Sequence, residues 1–422
     1  MWSSLLSVIL VINELMAANT GEAMSPATNF DSWIELYNPS DQAINIGGMY
    51  LSNNADNLTL WKMPSNMGTV PAKGFKVIWL GSNDIKDNQA PFKLDYDGGA
   101  IYLTNNKGEI VASQDYPQAM SHTAWARKTD GGDDWGWTAT PTPEKTNTTA
   151  VYAEQRLPAP VVQQGSQLFS GSLRIYVEVP EGATLRYTTD GSTPTSTSKK
   201  SIGQFQIEKT TNYVFRLFQD GYLPSAPVTR SYIKTSDEYT IPIISIVGDE
   251  KYFTDPMWGI DVNGENGKTG NGQNEPRNYN MDWDRPVNFS YISPTEGMLF
   301  NQDVNISVSG GWTRSIDPRS MKLKSNKIFD GQNHFNFSFF PQKPYIRSKV
   351  ILLRNGGNDW WNNHARFTDV ALTTIIQRSG IDLDVQSSVQ VAEFINGRFK
   401  GVVNMREPNN VSFSNMSISS SS

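Results

Sequence analysis

Apolar side chains alternate with polar ones in short runs over the first 150 residues. The runs are Val11-Ile-Asn-Glu-Leu-Met16, Trp33-Ile-Glu-Leu-Tyr37, Phe75-Lys-Val-Ile-Trp-Leu80 and Ala100-Ile-Tyr-Leu-Thr104, with Asp97-Gly-Gly99 and Asn105-Asn-Lys-Gly108 as turns. Period-two alternation punctuated by turn residues predicts an all-β sandwich over residues 1–150. A first strand is expected over Val8–Leu15, with residues 1–10 holding a remnant of a leader. Pro141 to Thr149 reads as a linker. A smaller sandwich is predicted over 151–236, where Leu173 to Val179 alternates, Leu185-Arg-Tyr-Thr-Thr189 runs into Asp190-Gly191, and Tyr213 to Phe218 precedes Asp220-Gly221.

Residues 237–410 mix the two periods. Ile241-Pro-Ile-Ile-Ser-Ile-Val247 reads as a buried strand, and Met321-Lys-Leu-Lys324 as a half-buried one that shows Lys322 and Lys324 on one solvent side with Ser320 beside them. Val350 to Leu353 is a strand running into the loop Arg354-Asn-Gly-Gly357. Phe367, Val370, Ala371, Thr374 and Ile375 fall on one face of a helix that Gly380 ends. Val389–Ile395 and Phe399–Met405 flank Asn396-Gly397, the dipeptide that supplies the positive φ angles of a type I′ turn, so a hairpin is predicted there. Residues 411–422 are Ser-rich and without periodicity, and read as a disordered tail.

Composition narrows the chemistry. The 422 residues carry a net charge of −6 and a pI near 5.3, which argues against a nucleic-acid partner. With no cysteine, disulfides, thiol catalysis and thiolate–metal centres are excluded. His122, His334 and His364 are scattered without zinc-ligand spacing, and no metal site is assigned. No apolar run is long enough to span a membrane. Abundant polar residues together with twelve tryptophans suit an extracytoplasmic β-protein.

Several residues invite a chemical reading. Lys322 and Lys324 could neutralise phosphates as point charges. Glu14 and Glu35 sit inside strands and are read as outward-facing or capping rather than catalytic. Trp135 and Trp137 offer a glycan-stacking platform, against the plainer reading of a closing strand packing its tryptophans. Asp261 to Gly272 lacks the glycine and acidic positions of an EF-hand and the first glycine of a phosphate loop, so it is expected to be a flexible polar loop.

Three resemblances follow from these motifs. Ile12-Asn-Glu-Leu-Met-Ala-Ala-Asn19, Asp31 to Ser40 and Trp125-Ala-Arg-Lys-Thr-Asp-Gly-Gly132 resemble the lamin-tail domain, an immunoglobulin-like fold. Arg186-Tyr-Thr-Thr-Asp-Gly-Ser-Thr-Pro194 resembles the C-terminal sandwich of chitobiases and β-hexosaminidases, a spacing or docking module with no glycosidase domain here. Gly311-Trp-Thr-Arg314, Pro318 to Lys324, Leu353 to Asp359, Arg366-Phe-Thr-Asp369 and Phe394 to Gly401 through Glu407 resemble the CotH kinase-like family. The fold implied is two immunoglobulin-like sandwiches followed by an incomplete α+β kinase-like domain. That resemblance implies ATP with Mg2+, Arg314, Arg319, Lys322 and Lys324 toward the nucleotide, and Asp369 or Glu407 orienting a lysine or facing the nucleotide. The family's metal-binding and base aspartates are expected later in the domain than this sequence extends, so no catalytic residue is assigned and phosphoryl transfer is expected to be impaired. The alternative is a non-enzymatic surface protein whose partners are glycans or envelope proteins.

Overall fold

A computed structural model describes residues 10–81, 85–341, 347–359, 365–381, 383 and 385–408. The expected leader, His364 and the Ser-rich tail lie outside them. The described residues divide into two compact units, one mainly up to Leu157 and one mainly beyond it.

The first unit is a sandwich of short strands: β1 (Val11–Met16), β2 (Ser32–Tyr37), β3 (Ile44–Asn45), β4 (Tyr50–Ser52), β5 (Trp61–Lys62), β6 (Thr69–Val70), β7 (Phe75–Leu80), β8 (Gly99–Thr104), β9 (Ile110–Tyr116), β10 (Ala124–Arg127) and β11 (Trp135–Thr138). One sheet runs β11-β10-β1-β2-β7, a second β5-β4-β8-β9, and β3 pairs β6. Leu15, Ile34, Leu36 and Ile78 of the first sheet meet Leu51, Ile101 and Leu103 of the second in one core. The alternation read from the sequence sets which side of a strand faces this core, but β1 and β2 are buried on both sides.

The second unit begins with the smaller sandwich: β12 (Gln167–Phe169), β13 (Leu173–Tyr176), β14 (Thr184–Thr188), β15 (Lys199–Ser201), β16 (Gln204–Ile207), β17 (Thr211–Phe218) and β18 (Val228–Lys234). Its main sheet runs β12-β18-β17-β14-β15, and β13 pairs β16. Asp190-Gly191 makes the expected turn. Gly191 has φ +83°, and a Cβ there would lie 2.0 Å from the Gly248 carbonyl oxygen, so both the angle and the close approach demand glycine.

After it come β19 (Ile243–Val247), β20 (Arg285–Ser293), β21 (Gly297–Val308), β22 (Met321–Lys324), β23 (Phe335–Asn336), β24 (Arg347–Ser348), β25 (Val350–Arg354), β26 (Ser388–Ile395) and β27 (Arg398–Arg406). Seven of these close into a barrel, β19-β20-β21-β22-β25-β27-β26, with β26 completing it by parallel pairing to β19. Met321, Leu323, Ile351, Leu353, Val403 and Met405 face the barrel core. The hairpin β26–β27 turns through Asn396 (φ 49°) and Gly397 (φ 78°), with Ile395 opposite Arg398, as the Asn-Gly signal requires.

Two expectations change. The helix Thr368–Arg378 forms, but no residue of it is fully buried, and Phe367 and Ile375 of the predicted apolar face are exposed, so that face is not a buried one. The polar loop from Asp261 is not a loose segment. Buried Asn278 holds it by accepting from the Asn266 amide (3.0 Å) and donating to the carbonyls of Pro256 (3.0 Å) and Gly259 (3.2 Å). A Cβ on Gly267 would fall 1.9 Å from the Arg277 carbonyl carbon, so the glycines there allow close backbone packing rather than freedom.

Candidate functional site

The outward side of the barrel carries the sequence's candidate lysines. Because facing residues of antiparallel strands share a side, Ser307, Lys322, Leu352, Arg406 and Ser388 form one row across β21, β22, β25, β27 and β26. Lys324 stands in the next row, opposite Asn305 and Val350.

The two lysines differ in what already holds them. Lys324 is taken: its Nζ lies 2.6 Å from Asp284 Oδ1. Lys322 is half-buried and its side chain, among the described residues, makes no hydrogen bond or ion pair. Burial, and then the charge of Lys324, push its ammonium below the usual lysine range. Directly across from it, the Ser307 hydroxyl is buried and, among the described residues, has no hydrogen-bond partner. An unpaired, partly desolvated cation beside an unused hydroxyl is an arrangement that an oxyanion would complete.

The arginines are braces. Arg314 donates from Nε to the Gly310 carbonyl (2.6 Å) and from Nη1 to the Asn280 carbonyl (2.8 Å), and pairs with Asp282 at 3.1 Å. Arg319 pairs with Asp261 at 2.7 Å and lies over the Tyr279 ring at 4.6 Å. Asp261 also receives Lys400 at 3.0 Å. Both arginines therefore fasten the 261–282 loop instead of presenting charge to solvent.

Among the described residues, no ion pair or hydrogen bond joins either acidic candidate to Lys322 or Lys324. Asp369, on the first turn of the helix, pairs with Arg406 (2.9 Å) and Arg354 (3.3 Å). Glu407 is buried and accepts from the Ser387 amide at 3.3 Å. Sequence reasoning missed Arg406, buried with 3% side-chain exposure, and Asn355, which is also buried. Asn355 donates to the Ile316 carbonyl (3.2 Å) and accepts from Ser320 (3.0 Å) and the Gly357 amide (2.9 Å). It thereby fixes the loop leading into β22, and Ser320 is a member of that tie rather than a free neighbour of the lysines. A cavity of about 390 Å3 on Pro318, Phe367, Gly401 and Val402 takes none of the six candidate residues into its lining.

In the first unit, Trp135 stacks on Trp125 (6.0 Å, 17°), with the Arg127 guanidinium 4.7 Å from its ring, and Trp137 lies 4.9 Å from Trp125. Much of this aromatic surface is spent on packing within the β10–β11 pair. Glu14 and Glu35 are fully buried and act as caps, with no outward face. Alternation alone places them on one side of their strands; it does not reveal that a later segment covers that side.

Residues 7–118 match the family Lamin Tail Domain, and residues 165–229 match the Chitobiase/beta-hexosaminidase C-terminal domain. The chain carries these two immunoglobulin-like modules. No curated protein matches the chain. Among solved structures, a chain titled "Biofilm associated protein - BSP domain" is similar at 11% identity over 78% of this chain, with a TM-score of 0.13, a likeness that carries no argument. This chain spans 65% of that one, less than two thirds of its length. Among the described residues, no helix is long and apolar enough to cross a membrane.

Proposed function

We propose that this is an extracytoplasmic, surface-type modular protein in which two immunoglobulin-like accessory sandwiches accompany a CotH kinase-like domain, and that the barrel of that domain binds a nucleotide polyphosphate through Lys322. The observation that carries the reading is the contrast between the lysines. Lys324 is paired with Asp284, whereas half-buried Lys322, which feels the charges of Asp282 and Asp284 only from a distance, has no ion pair among the described residues and lies across from the unused Ser307 hydroxyl. Phosphate oxygens supply the negative charge and the acceptors this corner lacks. The acidic residues nearest in charge to Lys322, Asp282 and Asp284, are committed to Arg314, Lys268 and Lys324, so binding, not transfer, is the activity assigned. The accessory modules support the surface placement, since chitobiase-type C-terminal modules are typical of extracellular proteins.

Thermal shift with ATP and magnesium tests this. A saturating ligand at a hundred times its Kd adds about 2.7 kcal/mol to the folded state. The parent and a Lys324→Ala variant should both shift, and Lys322→Ala should not. No shift in the parent would sink the nucleotide reading, and an equal shift in Lys322→Ala would sink the assignment of the lysine. The competing reading, a non-enzymatic adhesin that takes glycan on Trp135 and Trp137, predicts instead glycan-array binding that survives Lys322→Ala and disappears with Trp137→Ala.

A further inference from the structure

Three carboxylates lie in a row beneath one loop of the first unit. Glu14 on β1 faces Glu35 on β2 in register, and Asp130 joins them from the turn between β10 and β11. Glu14 and Glu35 have no exposed surface. The loop runs from Thr138 to Tyr152, whose backbones are bridged, so its ends are held together while its middle crosses the carboxylates.

Most attachments of that middle go to the row; at its far end the Asn147 side-chain amide also donates to the carbonyls of Asn13 (3.0 Å) and Arg127 (2.8 Å), and its backbone carbonyl accepts from the Tyr152 hydroxyl (3.1 Å). The Thr142 amide donates to Glu14 (3.1 Å) and its hydroxyl does the same (3.0 Å). The Glu144 amide donates to Glu35, while Thr146 Oγ1 (2.5 Å) and the Asn147 amide (2.9 Å) donate to Asp130. Glu144 itself is held at φ +60°, a left-handed conformation that a non-glycine residue keeps only where its surroundings impose it. Asn13 links the carboxylates from below, donating to Asp130 at 3.1 Å and Glu35 at 3.5 Å.

We propose that the strap Thr142–Asn147 is a pH-controlled clasp that is closed at mildly acidic pH and opens as the solution becomes alkaline. Burial pushes the Glu14 carboxyl up to about 7 and the Glu35 carboxyl up to about 8, against the amide donors of the strap, which pull the other way. Asp130 adds a like charge to both, and Glu14 adds one to Glu35. The other groups facing the row are the Tyr152 hydroxyl, whose proton burial and the Glu14 charge help retain, and the Arg127 guanidinium, which is spent on the Ile12 and Gly132 carbonyls and on Asp133. On the strap, the Glu144 and Lys145 side chains point to solvent.

The sign follows from proton counting. A carboxyl with a higher pKa in the closed state holds its proton there and loses it on opening, so closure is strongest below the ordinary glutamate range and weakens as pH rises through the closed-state values. Ionising both glutamates beside Asp130 would place three negative charges under the strap, and lifting it admits water to all of them.

Lys145 is exposed on the strap and gives a direct readout. Tryptic cleavage after Lys145, normalised to the rate on an unfolded reference peptide, should accelerate at least tenfold between pH 6 and pH 8.5. A Glu14→Gln, Glu35→Gln variant, whose amides cannot ionise, should show a flat profile. Identical profiles in the two proteins, or protection that grows with pH, would overturn the clasp. Should the double variant not fold, hydrogen exchange in the unaltered chain decides. Protection at Glu144 and Asn147, corrected for intrinsic rate, must fall tenfold or more over that range while protection in β2 holds; equal behaviour of strap and β2 counts against it.

Discussion

Replacing Asp369 with asparagine isolates the electrostatics of the tie between the helix and the barrel. Arg406 has 3% side-chain exposure and, among the described residues, pairs with Asp369 at 2.9 Å while its Nε and Nη2 find no acceptor. Burial already draws its guanidinium below the usual arginine range. Removing one member of a buried pair leaves an uncompensated charge, at a cost of about 3–5 kcal/mol. Asp369 is itself 41% exposed, so water can partly replace it, which lowers the expectation to about 2–3 kcal/mol. Arg354, 3.3 Å from the same carboxylate, would then face Arg406 with no anion between them. Deleting the charge on the other side is a different matter. Arg406→Met removes the desolvated guanidinium together with its unmet donors, so it should cost less than about 1 kcal/mol, and Asp369→Asn on top of it should add little. The readout is the opening free energy of β26 and β27 by native-state hydrogen exchange, because a chain of two units has no single unfolding midpoint. If Arg406→Met proves as damaging as Asp369→Asn, the pair is a net stabiliser and the reasoning fails.

The first unit should also weaken on the acid side. Burial works to raise the Glu22 carboxyl, but the His122 ring at 2.5 Å and the Thr20 amide outweigh it, so Glu22 sits below the usual range. A depressed carboxyl gives stability that is present above its unfolded value and lost as pH falls through the folded one, so Glu22→Gln should remove part of the acid limb of an unfolding-versus-pH curve followed by tryptophan fluorescence. An unchanged acid limb would remove Glu22 from the account. In the loop before β20, Gly267→Ala forces a methyl carbon onto the Arg277 backbone and should cost about 2 kcal/mol or more. Its signature is lost exchange protection at Asn278 with the barrel strands unaffected, and retained protection would show that the loop can give way.

Much of the fold was legible because its signals are local. The Asn396-Gly397 turn, the Met321–Lys324 alternation and the Asp190-Gly191 turn each depend on a few adjacent residues, and each occurs where the pattern places it. What was not legible depends on distant partners. Nothing near Lys324 in sequence announces Asp284, forty residues away, and nothing near Arg319 announces Asp261. The helix illustrates the converse. Its apolar spacing is real, yet Phe367 and Ile375 remain exposed, because periodicity identifies a face without identifying what meets it.

Partnership therefore sorts the cationic residues of the barrel better than position does. Arg314, Arg319, Lys324, Lys400 and Arg406 are all basic and all lie near the 261–284 loop or the helix, and each is bound to a carboxylate of this chain. A charge already neutralised and hydrogen-bonded has little left to offer a ligand, and displacing its partner would leave a carboxylate stranded in turn. Lys322 departs from that pattern although it is half-buried, and among the described residues the hydroxyl across from it is idle as well. This corner is therefore where an external anion would meet a cation that, among the described residues, no carboxylate of the chain pairs with.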